Sequence, residues 1–168
     1  NGHGKLLPQT GWKKVNNNWE YLDDNGTPVN DWQYIGSSWY YFENNIMVKN
    51  SEWYVPAKNG FAGGLYYFDE NGHYLTNNWR KVSMNTTYYF GSDGRAVSGW
   101  QRIAKSWYYF NPTSYVMASD GLTFVPTDNN TKEGTYFFDQ NGHYLINAWK
   151  EDTQGNNYFF GADGRAVN

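Results

Sequence analysis

The sequence contains no cysteine. Disulfide staples, thiolate metal sites and cysteine nucleophiles are therefore excluded. Leu, Ile and Val are few, and no apolar run is long enough to cross a membrane, so no membrane insertion is expected. The net charge is only −3, with no basic excess to hold nucleic acid and no block of like charge to form a tail. No segment has sustained helical periodicity. Catalytic signatures are missing as well: there is no H-E-x-x-H, no G-x-S-x-G and no glycine-rich phosphate loop. The carboxylates available to a mechanism, such as Asp69, Asp93, Asp139 and Asp163, all sit in turns that recur along the chain. An active site normally uses a constellation found once. The sequence therefore predicts a non-enzyme with no cofactor and no metal.

Aromatic residues fill the gap left by the aliphatics, at 21% of the chain. Phe, Tyr and Trp each bury a large area and can build a core. They are periodic. Tryptophans stand at positions 12, 32, 53, 79, 100 and 149, and an aromatic block follows most of them: WEYL at 19–22, WYYF at 39–42, LYYF at 65–68, TYYF at 87–90, WYYF at 107–110, TYFF at 135–138 and NYFF at 157–160. These blocks are 20–28 residues apart and define seven units. A longer period lies above them. LYYFDENGHYLTNNW returns as TYFFDQNGHYLINAW and GSDGRAV as GADGRAV, each shifted by 70 residues, and His3, His73 and His143 follow the same spacing. Three units thus form one module.

Each unit reads as a β-hairpin. The aromatic triplets have high strand propensity, and DDNG, DENG, GSDG and DQNG supply residues that accept a positive φ. A short second strand (HYL, RAV or TPV) is expected after each such turn. One hairpin is marginal alone, so the units should stack. The predicted fold is all-β, a β-solenoid of stacked hairpins forming a single array over residues 1–168. Its parts are the end of a preceding unit (1–11), a first module (12–78), a second (79–148) and the start of a third (149–168). Side chains alternate along a strand. In Trp107-Tyr108-Tyr109-Phe110, one face is expected to fill the core and the other to line a groove between hairpins.

The succession of a GW-type element, a WYYF block, a DxNG turn and the next GW element resembles the cell-wall-binding repeat superfamily. That superfamily includes choline-binding repeats and the glucan-binding repeats of glucansucrases. NNWRKV, TYYF, DGRAVSGWQRI, WYYF, FVP and TYFFDQNG follow one another in the order of the glucan branch. The resemblance to that branch implies a non-catalytic module for α-glucan, secreted or on a bacterial cell surface. The cysteine-free, Asn- and Tyr-rich composition fits a secreted Gram-positive protein. The choline branch implies instead cages of aromatics, often with Met, around a quaternary ammonium. Against a regular choline array, the first block position is Leu65, Thr87, Thr135 or Asn157 in four of the seven units.

Sugar binding needs an aromatic face against the C–H face of the ring and fixed polar groups for its hydroxyls. Gln33 and Gln101 directly follow Trp32 and Trp100, and Trp39 and Trp107 stand seven residues beyond those tryptophans. The expected glucan contacts are Trp32, Gln33, Trp39, Tyr41, Trp100, Gln101, Trp107 and Tyr109, with Lys14 and Lys81 adding hydroxyl contacts. The alternative choline cages are Trp32, Trp39 and Met47, and Trp100, Trp107, Met117 and Phe124. A repeat spacer without ligand is the third reading. LPQTG at residues 7–11 spells a sortase signal, but a whole array follows it, and chance explains it better.

Overall fold

The computed structural model describes residues 4, 6–128 and 131–167; His3 lies outside them. The described residues form sixteen strands and no helix. In order, the strands are β1 (Gly11–Val15), β2 (Asn18–Leu22), β3 (Asp31–Ile35), β4 (Ser38–Glu43), β5 (Ile46–Met47), β6 (Ser51–Val55), β7 (Gly64–Phe68) and β8 (Asn78–Ser83). There follow β9 (Thr86–Phe90), β10 (Gly99–Ile103), β11 (Ser106–Phe110), β12 (Gly121–Val125), β13 (Gly134–Phe138), β14 (Ala148–Glu151), β15 (Asn157–Phe160) and β16 (Ala166–Val167). They pair into seven small sheets of two or three strands, one for each aromatic block. The fold is a hairpin repeat of the solenoid class. The chain clusters into two compact units, one running to Asn78 and adding Phe90–Arg95, the other made of Trp79–Tyr89 and the chain from Ala96 onward.

The main partner of each aromatic block is not the short strand expected after the turn, although that strand does form at the last block, where β16 pairs with β15. The main hairpin joins the block to the GW-type strand before it, with Trp12 opposite Tyr21, Trp32 opposite Tyr41 and Trp100 opposite Tyr109. Its tight turn is Asn16-Asn17 or Ala104-Lys105, with φ of 47° and 65°, and 47° and 76°. Two successive left-handed residues match the twist of a two-residue hairpin. The NG turns do a different job. The Asp69 carboxylate accepts from the backbone N–H of Asn71 and of His73, each at 2.9 Å, and Asp139 repeats this with Asn141 and His143. Beyond most of these turns the chain returns to the block through isolated bridges, such as Phe68 with Tyr74 and Phe138 with Tyr144.

Stacking follows one rule. The tryptophans of β1, β3, β8 and β10 each pack on the first Tyr and the Phe of the next block. Trp12 meets Tyr40 and Phe42 at 4.9 and 5.9 Å between ring centroids, Trp32 meets Tyr66 and Phe68 at 5.1 and 5.8 Å, and Trp100 meets Tyr136 and Phe138 at 5.2 and 5.9 Å. The Trp–Tyr pairs are edge-to-face, a geometry that adds to area burial. Burial along a block is graded rather than alternating. In β11, Trp107 at the hairpin tip is exposed, while Tyr109 and Phe110 at its base are both buried. The base lies where the chain turns into the next hairpin, and neighbours cover both faces there.

The core of each unit is a ring cluster. One gathers Tyr41, Val48, Val55, Tyr66 and Phe68; the other gathers Tyr109, Val125, Tyr136 and Phe138. Burial pushes the Tyr41 hydroxyl up to about 12, with the Glu43 carboxylate adding to the effect, and burial raises Tyr66, Tyr109 and Tyr136 in the same direction. The folded chain therefore holds these protons more tightly than the unfolded chain does. Their contribution is complete below the unfolded value near 10 and is lost as pH rises toward the folded value. Urea midpoints should be level to about pH 9–10 and fall steeply toward pH 12. Tyrosinate absorbance should rise with unfolding.

Gly164, at φ +81°, lets the Tyr144 ring lie directly on the backbone, since a Cβ there would run into that ring. Gly94 stands in the same relation to Tyr74. Gly164→Ala should cost about 1–3 kcal/mol, read as a lower urea midpoint, through both the left-handed backbone and the displaced ring.

Candidate functional site

The register of each hairpin sets the geometry of its rings. Trp12 lies opposite Tyr21, and Trp19 is two residues before Tyr21, so Trp12 and Trp19 project from the same face. Their centroids are 6.2 Å apart at 87°. Tyr40 from the next hairpin meets Trp12 at 75°. These rings, with Met47, Glu70, Asn71 and His73, line a cavity of about 490 Å³. The Tyr40 hydroxyl is hydrogen-bonded to His73 Nε2 at 3.0 Å, which fixes the phenol at the wall.

A second cavity, of about 350 Å³, is lined by Trp100, Trp107, Tyr136 and Tyr144 with Asp128, Thr131 and Asp163 at its edge. Three of the rings are set steeply to one another. Trp100 meets Tyr136 at 70° and Tyr144 at 76°, and Tyr136 meets Tyr144 at 85°. Hydrogen bonds from the Arg165 side chain hold the Asp163 carboxyl below its ordinary range, and Arg165 Nη2 is 2.7 Å from it. Asp128 accepts from the backbone N–H and the hydroxyl of Thr131, at 2.7 and 2.8 Å. The cavity thus joins ring walls to carboxylates.

The corresponding space in the first unit is filled. Phe61 stacks on Trp32 at 6.1 Å and 27°, and meets Trp39 edge-on at 5.2 Å and 72°. About 40 Å³ remains beside it.

The expected site residues divide accordingly. Trp100 and Trp107 come together as expected, and Trp32 and Trp39 come together around Phe61. Tyr41 and Tyr109, expected as ligand contacts, are core residues at 2% and 4% exposure; they stand at the hairpin bases where both faces are covered. Gln33 Nε2 donates to the Asn30 carbonyl at 2.7 Å and Gln101 Nε2 to the Ser98 carbonyl at 2.8 Å, each pinning the chain before its strand. Lys14 and Lys81 are exposed on β1 and β8 and line neither open cavity. The methionines belong elsewhere than expected. Met47 lines the Trp12 cavity, and Met117 faces a cleft with Tyr109 and Asn111. Phe124 lies beside Glu133 and Arg165, away from the Trp100 cage. The reason is shared: a cage is closed by the aromatic strand of the next hairpin, not by its GW-type strand. Trp12, Trp19 and Tyr40 were missed as a cage, although Trp12 and Trp19 show the same seven-residue spacing as Trp100 and Trp107.

A sequence profile for the choline-binding repeat matches residues 9–54 and 80–121, more than half of the chain. The chain belongs to the choline-binding repeat family. A second profile, a putative cell wall binding repeat, matches residues 147–166. Two curated proteins are similar to this chain in sequence. Glucosyltransferase-S of Streptococcus mutans is 29% identical over 153 residues, covering 71% of this chain and 10% of that protein. Glucosyltransferase-I of Streptococcus downei is 34% identical over 99 residues, covering 58% of this chain and 6% of that protein. The chain therefore spans a tenth or less of the length of these relatives. Among solved structures, choline binding protein F from Streptococcus pneumoniae superposes with a TM-score of 0.67 at 28% identity, over 95% of this chain and 48% of that one. Choline-binding repeats and glucosyltransferase relatives together identify a carbohydrate- or cell-wall-binding repeat module.

Proposed function

We propose that this chain is a non-catalytic module that holds its parent protein, outside the cell, on a bacterial wall polymer by gripping a compact organic cation of the choline type. The observation that carries this reading is the Trp100 cage, where steeply angled ring faces and the Asp128 and Asp163 carboxylates share one small cavity. A ring face attracts a cation electrostatically, and several faces around one charge suit a quaternary ammonium. The Trp12 cage repeats the design with Glu70. Several weak sites on one array raise the effective concentration against a repetitive polymer.

α-Glucan is the second reading. It is favoured by the glucosyltransferase relatives and by exposed tryptophan faces such as Trp149, on which a pyranose can stack. Binding to a diethylaminoethyl resin separates the two when run beside affinity electrophoresis in dextran gels. The choline reading expects elution by free choline at concentrations where sodium chloride fails, and no retardation by dextran. Retardation by dextran, with equal elution by choline and salt, replaces it with the glucan reading. If choline and salt elute equally and dextran does not retard, the chain is a spacer.

A further inference from the structure

We propose that Phe61 is an intrachain occupant that closes the Trp32–Trp39 cage, so that the first unit carries a site of the same design held shut by its own loop. The loops beside the two cages align without a gap at the 70-residue shift: AKNGFAGG at 57–64 against TDNNTKEG at 127–134. Phe61 then corresponds to Thr131 and Lys58 to Asp128. Thr131 and Asp128 edge the open cavity of about 350 Å³, whereas Phe61 and Lys58 border a remnant of about 40 Å³. The surrounding rings are alike. Trp32 contacts Tyr66 and Tyr74 at 5.1 and 5.6 Å, as Trp100 contacts Tyr136 and Tyr144 at 5.2 and 5.5 Å.

Three features make the closure a built one. Lys58 and Phe61 exchange backbone hydrogen bonds of 3.2 and 3.0 Å around Asn59-Gly60, whose φ values of 52° and 83° form a tight turn. That turn aims the ring at Trp32. Lys58 Nζ is bound to the Asp31 carboxylate at 2.7 Å, which ties the loop to the strand carrying Trp32. Asp31 itself holds a left-handed φ of 61°, at the hairpin position that Gly11 and Gly99 occupy in β1 and β10. Aspartate is one of the few residues besides glycine that tolerate this φ, and here it supplies the carboxylate that holds Lys58. Occupant, cation and anchor therefore differ together between the two cages: Phe61, Lys58 and Asp31 against Thr131, Asp128 and Gly99. The change also places an ion pair, Lys58 with Asp31, where the open cage has the Asp128 carboxylate, which leaves less net negative charge there to draw a cation.

The identity of the ligand rests on the choline reading, but the closure does not. Hydroxyl-radical footprinting, resolved by mass spectrometry, reads it without any ligand. Trp39 should be modified less than Trp107 in the wild-type chain. Phe61→Thr should raise Trp39 to the level of Trp107, and Thr131→Phe should lower Trp107 to the wild-type level of Trp39. Choline titration by equilibrium dialysis should then give one more site per chain for Phe61→Thr and one fewer for Thr131→Phe. Equal modification of Trp39 and Trp107 in the wild type, or no change of either in the two variants, overturns the closure. So does an unchanged number of sites in variants of a chain that binds choline. If no variant binds choline, the choline reading falls, and the footprint alone decides on Phe61.

Discussion

Phe138→Ala is expected to lower stability by about 3–5 kcal/mol, the cost of emptying an aromatic core position. Phe138 is fully buried, at 0% exposure. It stacks with Tyr109 at 6.5 Å and 27°, and it touches Trp100, Tyr136 and Tyr144. These are the rings of its own hairpin and the one before it, so the loss reaches both. The surroundings are held by backbone bridges such as Phe138 with Tyr144, which limits their collapse into the void. A urea titration followed by tryptophan fluorescence checks the value. Trp149→Ala serves as the control. Its ring is 70% exposed, and the change should stay near about 0.5 kcal/mol. If the two variants unfold at the same midpoint, the core has been wrongly placed.

Trp107→Ala is the second large effect, and it concerns binding. The Trp107 ring is exposed at the hairpin tip and lines the open cage. A good cation–π contact contributes ~0.5–2 kcal/mol, and about 1.4 kcal/mol is tenfold in affinity. Choline affinity at this cage should therefore fall by about tenfold, while the urea midpoint moves little. Trp100→Ala should lose both, because Trp100 contacts Tyr109, Tyr136, Phe138 and Tyr144 at once. Isothermal titration beside a urea series distinguishes them. A Trp107 variant that binds choline as tightly as the wild type removes this cage from the proposed function.

The repeat was legible because its marks are local. Aromatic blocks, NG turns and a 70-residue shift can be counted, and they give seven units and a hairpin stack. The pairing inside each unit was not legible. Ala104-Lys105 makes a tight left-handed turn without a glycine or asparagine to announce it, whereas DENG carries the familiar letters and closes only a capped loop. The cages were half legible. Trp100 and Trp107 share a hairpin, so spacing finds them. Tyr136 and Tyr144 come from the next one, and their arrival depends on how two hairpins stack. Leu65, Thr87, Thr135 and Asn157 spoke against a regular array. The two open cages occur at hairpins whose block begins with Trp19 or Trp107. Phe61 could have been found by setting the two loops side by side, since they align without a gap.

The small size of the sheets has a mechanical consequence. Each stops after two or three strands, and neighbouring hairpins meet through ring contacts and few backbone bonds, such as Met117 N–H to the Thr87 carbonyl. There is no long ladder to shear. Pulled from its two ends, such a chain should yield in small steps, one hairpin at a time, and lengthen well before it is fully unfolded.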